Sequence, residues 1–383
     1  APRGGVDRRE GLSLAAFWEE YHVPRRPVVL TDQATLFGEA TWASVEALCG
    51  GMRIVPDEFA PAATVWGRLV RGGPSWGGRV QNLSAWIGEL RAGRVPPHVG
   101  IFDKGLAGKD NGCAALLARI RVPPYFAHDV FKRPSVRFVA SLEAANLSLQ
   151  VDPFKEHPSL FVQGPGFVSG LHADTLSSHF WQVNLRGRKR WTLYEVDHDQ
   201  HAALLHKTYH VSTELAPPST ASDGFGGGRG SRGASRQKEE DTPPIEVHWG
   251  STFPEELLGA PDDGPASASL AAALAALPEA ASTEKMRPLR RLDVTVEEGE
   301  VIYIPSDTPH KVTCLAEGAP SAVAPGGEPC LSISMNFVDP TNARAAARRL
   351  RESAALAFGG PSAQRTLRLA DALEREHSRE PPP

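Results

Sequence analysis

The sequence predicts a mainly β sandwich or barrel with added helices. Three observations carry that expectation. Short strand-like runs recur between residues 136 and 337, no strand–helix–strand rhythm links them, and no internal repeat is present. At 383 residues with 41% hydrophobic content, the chain can bury a sizeable core.

The elements follow in order. "LSLAAFWEEYH" has helical spacing with Ser13 as its cap, and "RRPVVLTD" reads as a short strand ended by turn residues. "TWASVEALCGG" is a short helix with a Gly-Gly stop, and an Ala/Leu helix is expected near 110–120. "SVRFVASL", "SLFVQG", "FWQVNL" and "GRKRWTLYEV" read as strands, followed by an irregular helix at 195–210. Residues 216–244 are low in complexity and are expected to form a disordered surface insertion; an Ala-rich segment at 265–282 reads as a weak helix. Strands return at "LDVTVEEGEVIYIP", "HKVTCL" and "LSISMNFV", with a Gly/Pro-rich loop at 317–329. Two helical patterns, 341–358 and 362–377, close the chain, divided by "GGP". The expected organisation is an N-terminal elaboration over 1–135, a core over 136–340 and a C-terminal helical pair over 341–383.

The formal net charge of -4 gives no general pull toward nucleic acid or anionic membrane, and no apolar run is long enough to span a bilayer. A soluble chain of the cytoplasm or nucleus is expected. Cys49, Cys113, Cys314 and Cys330 show no C-x-x-C spacing. Cys314 and Cys330 could pair across neighbouring strands, but separate buried thiols are the favoured reading.

In a strand, residues i and i+2 share a face, so His172 and Asp174 of "LHAD" converge while Ala173 turns away. An imidazole and a carboxylate at that spacing supply two ligands of a 2-His-1-carboxylate triad, which leaves coordination positions open for co-substrate and dioxygen on Fe(II). His310, at the head of "HKVTCL", is the candidate third ligand. H-x-D alone is a weak signal in a chain of 13 histidines.

Past Gly187, Lys189, Trp191 and Leu193 share one strand face, while Arg188, Arg190 and Thr192 share the other, read as solvent-facing. Lys189 is the odd charge on an apolar face. An unpaired buried ammonium is costly, so Lys189 is expected either to have an anionic partner or to snorkel out to water; the carboxylate of a small bound acid would serve as the partner. His179 reads as a loop histidine near the rim, with a substrate contact as the alternative. His198, His201, His206 and His210 read as a solvated helix face rather than a zinc set. The stripe Ala343, Ala346, Ala347, Leu350, Ala354 and Ala357 reads as core packing, with homodimerisation through the C-terminal helices as the second choice.

"GPGFVSGLHAD" (164–174), "RGRKRWTLY" (186–194), "GEVIYIPSDTPHKV" (299–312) and "SISMNF" (332–337), with "RRPVVL" near the start, occur in one order over most of residues 15–340. Together they resemble the jumonji-C (JmjC) oxygenases, most of all the small JmjC hydroxylases. The resemblance implies a cupin-like jelly-roll, or double-stranded β-helix, and dependence on Fe(II), 2-oxoglutarate and O2. It places the metal on His172, Asp174 and His310, and the distal carboxylate of 2-oxoglutarate on Lys189. Ser169 and Ser334 fall near that carboxylate, and Gln182 and Asn336 fall among the amides lining the pocket. The chain departs from the family pattern at Gln182, where asparagine is frequent, at Ser334, where threonine is frequent, and at "SDTPH" before the last histidine. Substrate preference therefore does not transfer. The implied activity is hydroxylation of a side chain on a protein or peptide partner; lysine demethylation and a non-catalytic JmjC-shaped scaffold are the alternatives.

Overall fold

The computed structural model describes residues 5–33, 41–59, 69–71, 80–108, 112–148, 151–169, 171–195, 251–252, 290–315, 329–356 and 361–377. The strands in chain order are β1 (Asp7–Arg9), β2 (Val28–Leu30), β3 (Arg53–Ile54), β4 (Asp57–Phe59), β5 (Leu69–Arg71), β6 (Gln81–Asn82), β7 (Val99–Gly105) and β8 (Ser159–Gln163). They continue as β9 (His172–Ala173), β10 (His179–Arg186), β11 (Arg188–Tyr194), β12 (Ser251–Thr252), β13 (Arg291–Val296), β14 (Val301–Ile304), β15 (His310–Leu315) and β16 (Cys330–Phe337).

These build a nine-stranded sheet, β1-β2-β14-β10-β16-β8-β7-β4-β5, a five-stranded sheet, β12-β9-β15-β11-β13, and the small pair β3-β6. Only β1 and β2 run parallel among the described pairs. The two large sheets share a core. Val29, Phe180, Ile302 and Ile304 of the larger sheet pack with Trp191, Leu193, Leu292, Val294, Val296 and Val312 of the smaller. The larger sheet is covered on its other face as well. Trp181, Val183, Val301, Tyr303, Leu331 and Ile333 pack there against Phe17, Tyr21, Trp42, Val45, Trp86 and Ile87 of the N-terminal helices. Burial on both faces explains why β10 and β16 show no inside–outside alternation in exposure.

Ser13 caps the first helix by accepting the Ala16 N–H, and Thr41 caps Trp42–Cys49 through the Ser44 N–H. The C-terminal helices are Ala343–Leu356 and Pro361–Arg375. Ala343, Ala346, Ala347 and Leu350 pack against Phe138, Leu142, Leu369 and Leu373, so that apolar stripe serves the chain's own core. Among the described residues no helix is long and apolar enough to cross a membrane.

Four expectations need correction. "SVRFVASL" forms a helix, Val136–Ala144, capped by Ser135 through the Phe138 N–H. Phe138, Ser141 and Leu142 are its buried side at i, i+3 and i+4, while Val136 lies exposed. The helix expected near 110–120 is a single turn, Ala114–Leu117. Thr192 is buried rather than solvent-facing, its hydroxyl bonded to Asp293 at 2.6 Å. The cysteines are not separate thiols: Cys49 bonds Cys113 and Cys314 bonds Cys330. Closing loops of 64 and 16 residues, these restrain the unfolded chain by about 4 and about 3 kcal/mol in the chain-entropy account. The expected insertion at 216–244, the histidines at 198–210, the segment at 265–282 and most of the loop at 317–329 lie outside the described residues.

Candidate metal centre and acid pocket

The segment leading to "LHAD" runs beside β15. Gly166 N–H donates to the Cys314 carbonyl, Cys314 N–H to Phe167, and Ser169 N–H to Val312. Val312 N–H returns a bond to Ser169 Oγ at 2.8 Å. This ladder delivers β9 in register, with His172 directly opposite His310. The two imidazole centroids lie 4.3 Å apart. Asp174 Oδ1 stands 3.9 Å from His172 Nε2 and 4.0 Å from His310 Nε2. One donor atom from each of the three falls within 4.8 Å of the others, a set that can converge on one metal ion.

Local bonding decides which nitrogen of His310 faces that point. Its Nδ1 lies 2.9 Å from the Thr308 carbonyl, which only accepts, so Nδ1 carries the hydrogen and the Nε2 lone pair is free. Burial lowers the His310 pKa to about 4, keeping the ring neutral, as a ligand must be. Trp191 and Phe180 wall the ring, with centroids at 5.5 and 6.1 Å. The sequence-predicted triad is therefore brought together.

Lys189 is buried on the inter-sheet face, and no carboxylate among the described residues forms an ion pair with it. Its Nζ donates to Ser332 Oγ at 2.6 Å and Gln182 Oε1 at 3.1 Å, and lies over the Phe161 ring. Burial lowers its pKa to about 7. Around it on the facing sheet, Ser334 pairs in register with Gln182 and with Ser159. The hydroxyls of Ser334 and Ser159 and Oε1 of Gln163 have no hydrogen-bond partner among the described residues. A buried cation beside unsatisfied hydroxyls is a cradle for a small anion, since each such group costs free energy until it is partnered.

Leu193 lies opposite His310 and Lys189 opposite Cys314, so four strand residues, roughly 13 Å, separate lysine from metal triad along β11. The other expected residues divide. Gln182 and Ser334 belong to the lysine cluster. Ser169 instead holds the β15 edge near His310, and Asn336 Nδ2 donates to Ser178 Oγ at 2.9 Å. Ser332, Ser159 and Phe161 join the lysine cluster unforeseen; the alternation in "SISMNF" puts Ser332 on the face of Ser334 and could have revealed it.

A second cluster went unanticipated. His179 is wholly buried rather than at a rim, and joins His22 and Asp339 as another set within metal-ligand reach. His22 Nε2 lies 2.7 Å from Asp339 Oδ2, and His179 Nε2 lies 3.3 Å from Thr341 Oγ1. Thr341 Oγ1 donates to Asp339 Oδ1 at 2.6 Å. Tyr303 Oη contacts both Nδ1 atoms, at 2.9 Å to His22 and 3.0 Å to His179. Burial pushes the Asp339 carboxyl up, but the His22 and His179 imidazoles overcome it and hold the group well below the usual range. The sequence matches no family model, and no curated protein matches it significantly.

Proposed function

We propose that the chain is an Fe(II)- and 2-oxoglutarate-dependent dioxygenase of JmjC type that hydroxylates a side chain on a protein or peptide. In this reading the two facing sheets form the jelly-roll. The observation that carries it is the pairing, on and beside one five-stranded sheet, of a His172–Asp174–His310 triad with a buried lysine that has no carboxylate partner among the described residues.

His172, Asp174 and His310 would hold the iron. Lys189, with Ser334 and Ser159, would receive the distal carboxylate of 2-oxoglutarate, and the unsatisfied hydroxyls fit an anion there. Iron and 2-oxoglutarate, when bound, supply oxidation of a substrate C–H by dioxygen with release of succinate and CO2. The chain's own residues do the rest. Thr308 fixes the His310 tautomer, Trp191 and Phe180 exclude water from its ring, and Lys189 orients the acid by its charge.

The test is anaerobic reconstitution with Fe(II) and 2-oxoglutarate, then oxygen, with succinate as the readout. Wild-type protein should form succinate above the His172→Ala background, and Lys189→Ala should weaken 2-oxoglutarate binding. Equal background in wild-type and His172→Ala proteins, with no 2-oxoglutarate binding, removes the reading. On candidate peptides, gain of one oxygen identifies hydroxylation, and loss of a methyl group as formaldehyde identifies demethylation.

A further inference from the structure

Two tripeptides that the candidate site does not use, Asn82-Leu83-Ser84 and Asn146-Leu147-Ser148, match the N-x-S acceptor pattern for N-linked glycans. The pattern alone is weak, because it arises often by chance. What separates these two from chance is how the chain uses its six asparagines. Asn184, Asn336 and Asn342 are buried and committed, donating from Nδ2 to Val296 O, Ser178 Oγ and Ser177 O respectively. Asn111 lies outside the described residues.

Asn82 and Asn146 are the opposite. Both are exposed, as are Ser84 and Ser148, while Leu83 and Leu147 between them are buried anchors. Asn82 is the N-cap of the helix Leu83–Arg91, a position where asparagine ordinarily accepts a backbone N–H, yet its side chain makes no cap bond. Asn146 follows the helix Val136–Ala144 in a turn with φ 53°, a left-handed conformation that asparagine tolerates. The fold thus anchors each tripeptide through its leucine and turns the amide and hydroxyl outward.

The disulfides are the independent observation. All four cysteines are bonded, Cys49 to Cys113 and Cys314 to Cys330. Cytosolic thiols are kept reduced, whereas the lumen in which N-glycans are attached is oxidising. We propose that the chain folds in that lumen and carries N-linked glycans on Asn82 and Asn146, in place of the cytoplasmic or nuclear setting expected from sequence. In the transfer, the side-chain amide nitrogen forms a bond to the anomeric carbon of a lipid-diphosphate-linked oligosaccharide. The bond from that carbon to the diphosphate breaks, the lipid diphosphate leaves with the electron pair, and the nitrogen's proton passes to a base of the transferase. The serine hydroxyl is not consumed.

The test uses full-length protein from the cells that make it, treated with peptide N-glycosidase. Two downward steps in mass are expected, with conversion to aspartate at Asn82 and Asn146 alone. In a eukaryotic secretory host, Asn82→Gln and Asn146→Gln should each remove one step, and Ser148→Ala should repeat the second without changing the asparagine. Thiol labelling of denatured, unreduced protein should find no free cysteine. Unmodified asparagine at both positions with all cysteines oxidised overturns the glycan assignment. Modification at one position overturns the other, and free thiols in the native protein overturn the compartment.

Discussion

His172, Asp174 and His310 contain the same three side-chain types as His22, His179 and Asp339, and each set lies within reach of a single ion. Their hydrogens are fixed in opposite ways. In the first, a carbonyl holds the Nδ1 hydrogen of His310 and leaves Nε2 bare. In the second, the Ser306 backbone N–H points at His179 Nδ1 at 3.1 Å. A backbone amide only donates, so Nδ1 must accept and the ring hydrogen moves to Nε2, the atom facing Asp339 and Thr341. The short His22–Asp339 contact likewise needs a hydrogen on His22 Nε2. His310 presents a lone pair where His22 and His179 present N–H groups. Residue type makes a metal site possible; the partners behind the ring decide whether it is one.

The largest expected effect tests that distinction directly. Titration with Co(II) should show one site per chain. His172→Ala and His310→Ala should weaken it by more than about 100-fold, beyond what the loss of an outer partner costs. His22→Ala should leave that site intact but destabilise the protein by about 3–5 kcal/mol in denaturant, because the fully buried Asp339 carboxylate loses its Nε2–H partner. A second equivalent of cobalt that disappears in His22→Ala would break the comparison.

Lys189 extends the contrast to the anion. Asp339 has its N–H partners built in, whereas Lys189 has hydroxyls and an amide but no carboxylate among the described residues. A buried charge without a counter-charge is destabilising until a ligand arrives. Lys189→Met should therefore raise the stability of the ligand-free protein by about 1–4 kcal/mol while abolishing dicarboxylate binding. Unfolding midpoints and calorimetric titration read the two effects separately. A destabilised variant would mean that Lys189 is already paired.

Much of this was legible in sequence and the rest was not, for physical reasons. The His172–Asp174 spacing and the Lys189–Trp191–Leu193 face follow from the two-residue period of a strand, which local sequence encodes. The second cluster joins positions 22, 179, 303 and 339, and no period links residues on separate elements. His179 looked peripheral because "TLSSH" has loop composition, yet β10 begins at His179 itself. The Cys314–Cys330 bond stood only as the less favoured reading, and Cys49–Cys113 was missed because spacing alone cannot bring those two together.

That same "TLSSH" offers a smaller test. Leu176 and Ser177 both have positive φ, at 57° and 47°, a strain of order 1–3 kcal/mol each. The segment directly follows the candidate ligand Asp174. Ser177 Oγ donates to Asp307 at 2.7 Å, Arg349 Nε reaches Ser177 Oγ at 3.2 Å, and Asn342 Nδ2 donates to Ser177 O at 2.8 Å. The C-terminal helix thus clamps the strained turn. Arg349→Gln should lower cobalt affinity about tenfold, as loss of an outer partner does, with Arg349→Lys recovering part of it. Unchanged affinity in a folded Arg349→Gln protein would confine the clamp to a structural role.

The smallest effect is a pH dependence, and its sign follows from burial. The Lys189 pKa falls from 10.5 to about 7 in the fold. Between those values the unfolded chain binds more protons than the folded one, so stability of the ligand-free protein should rise with pH across that window; Lys189→Met should lack the rise. Ligand binding should move the other way, because a carboxylate needs the ammonium form. Below about pH 7 dicarboxylate affinity should be flat with respect to this group. Above it, the dissociation constant should climb by about tenfold per unit until the pKa of the bound complex is reached. Metal ligands also titrate, so the measurement compares 2-oxoglutarate with 2-oxobutyrate, which keeps the chelating end and lacks the distal carboxylate. The ratio of their dissociation constants isolates Lys189. A ratio independent of pH between 7 and 9 would place the distal carboxylate somewhere other than on Lys189.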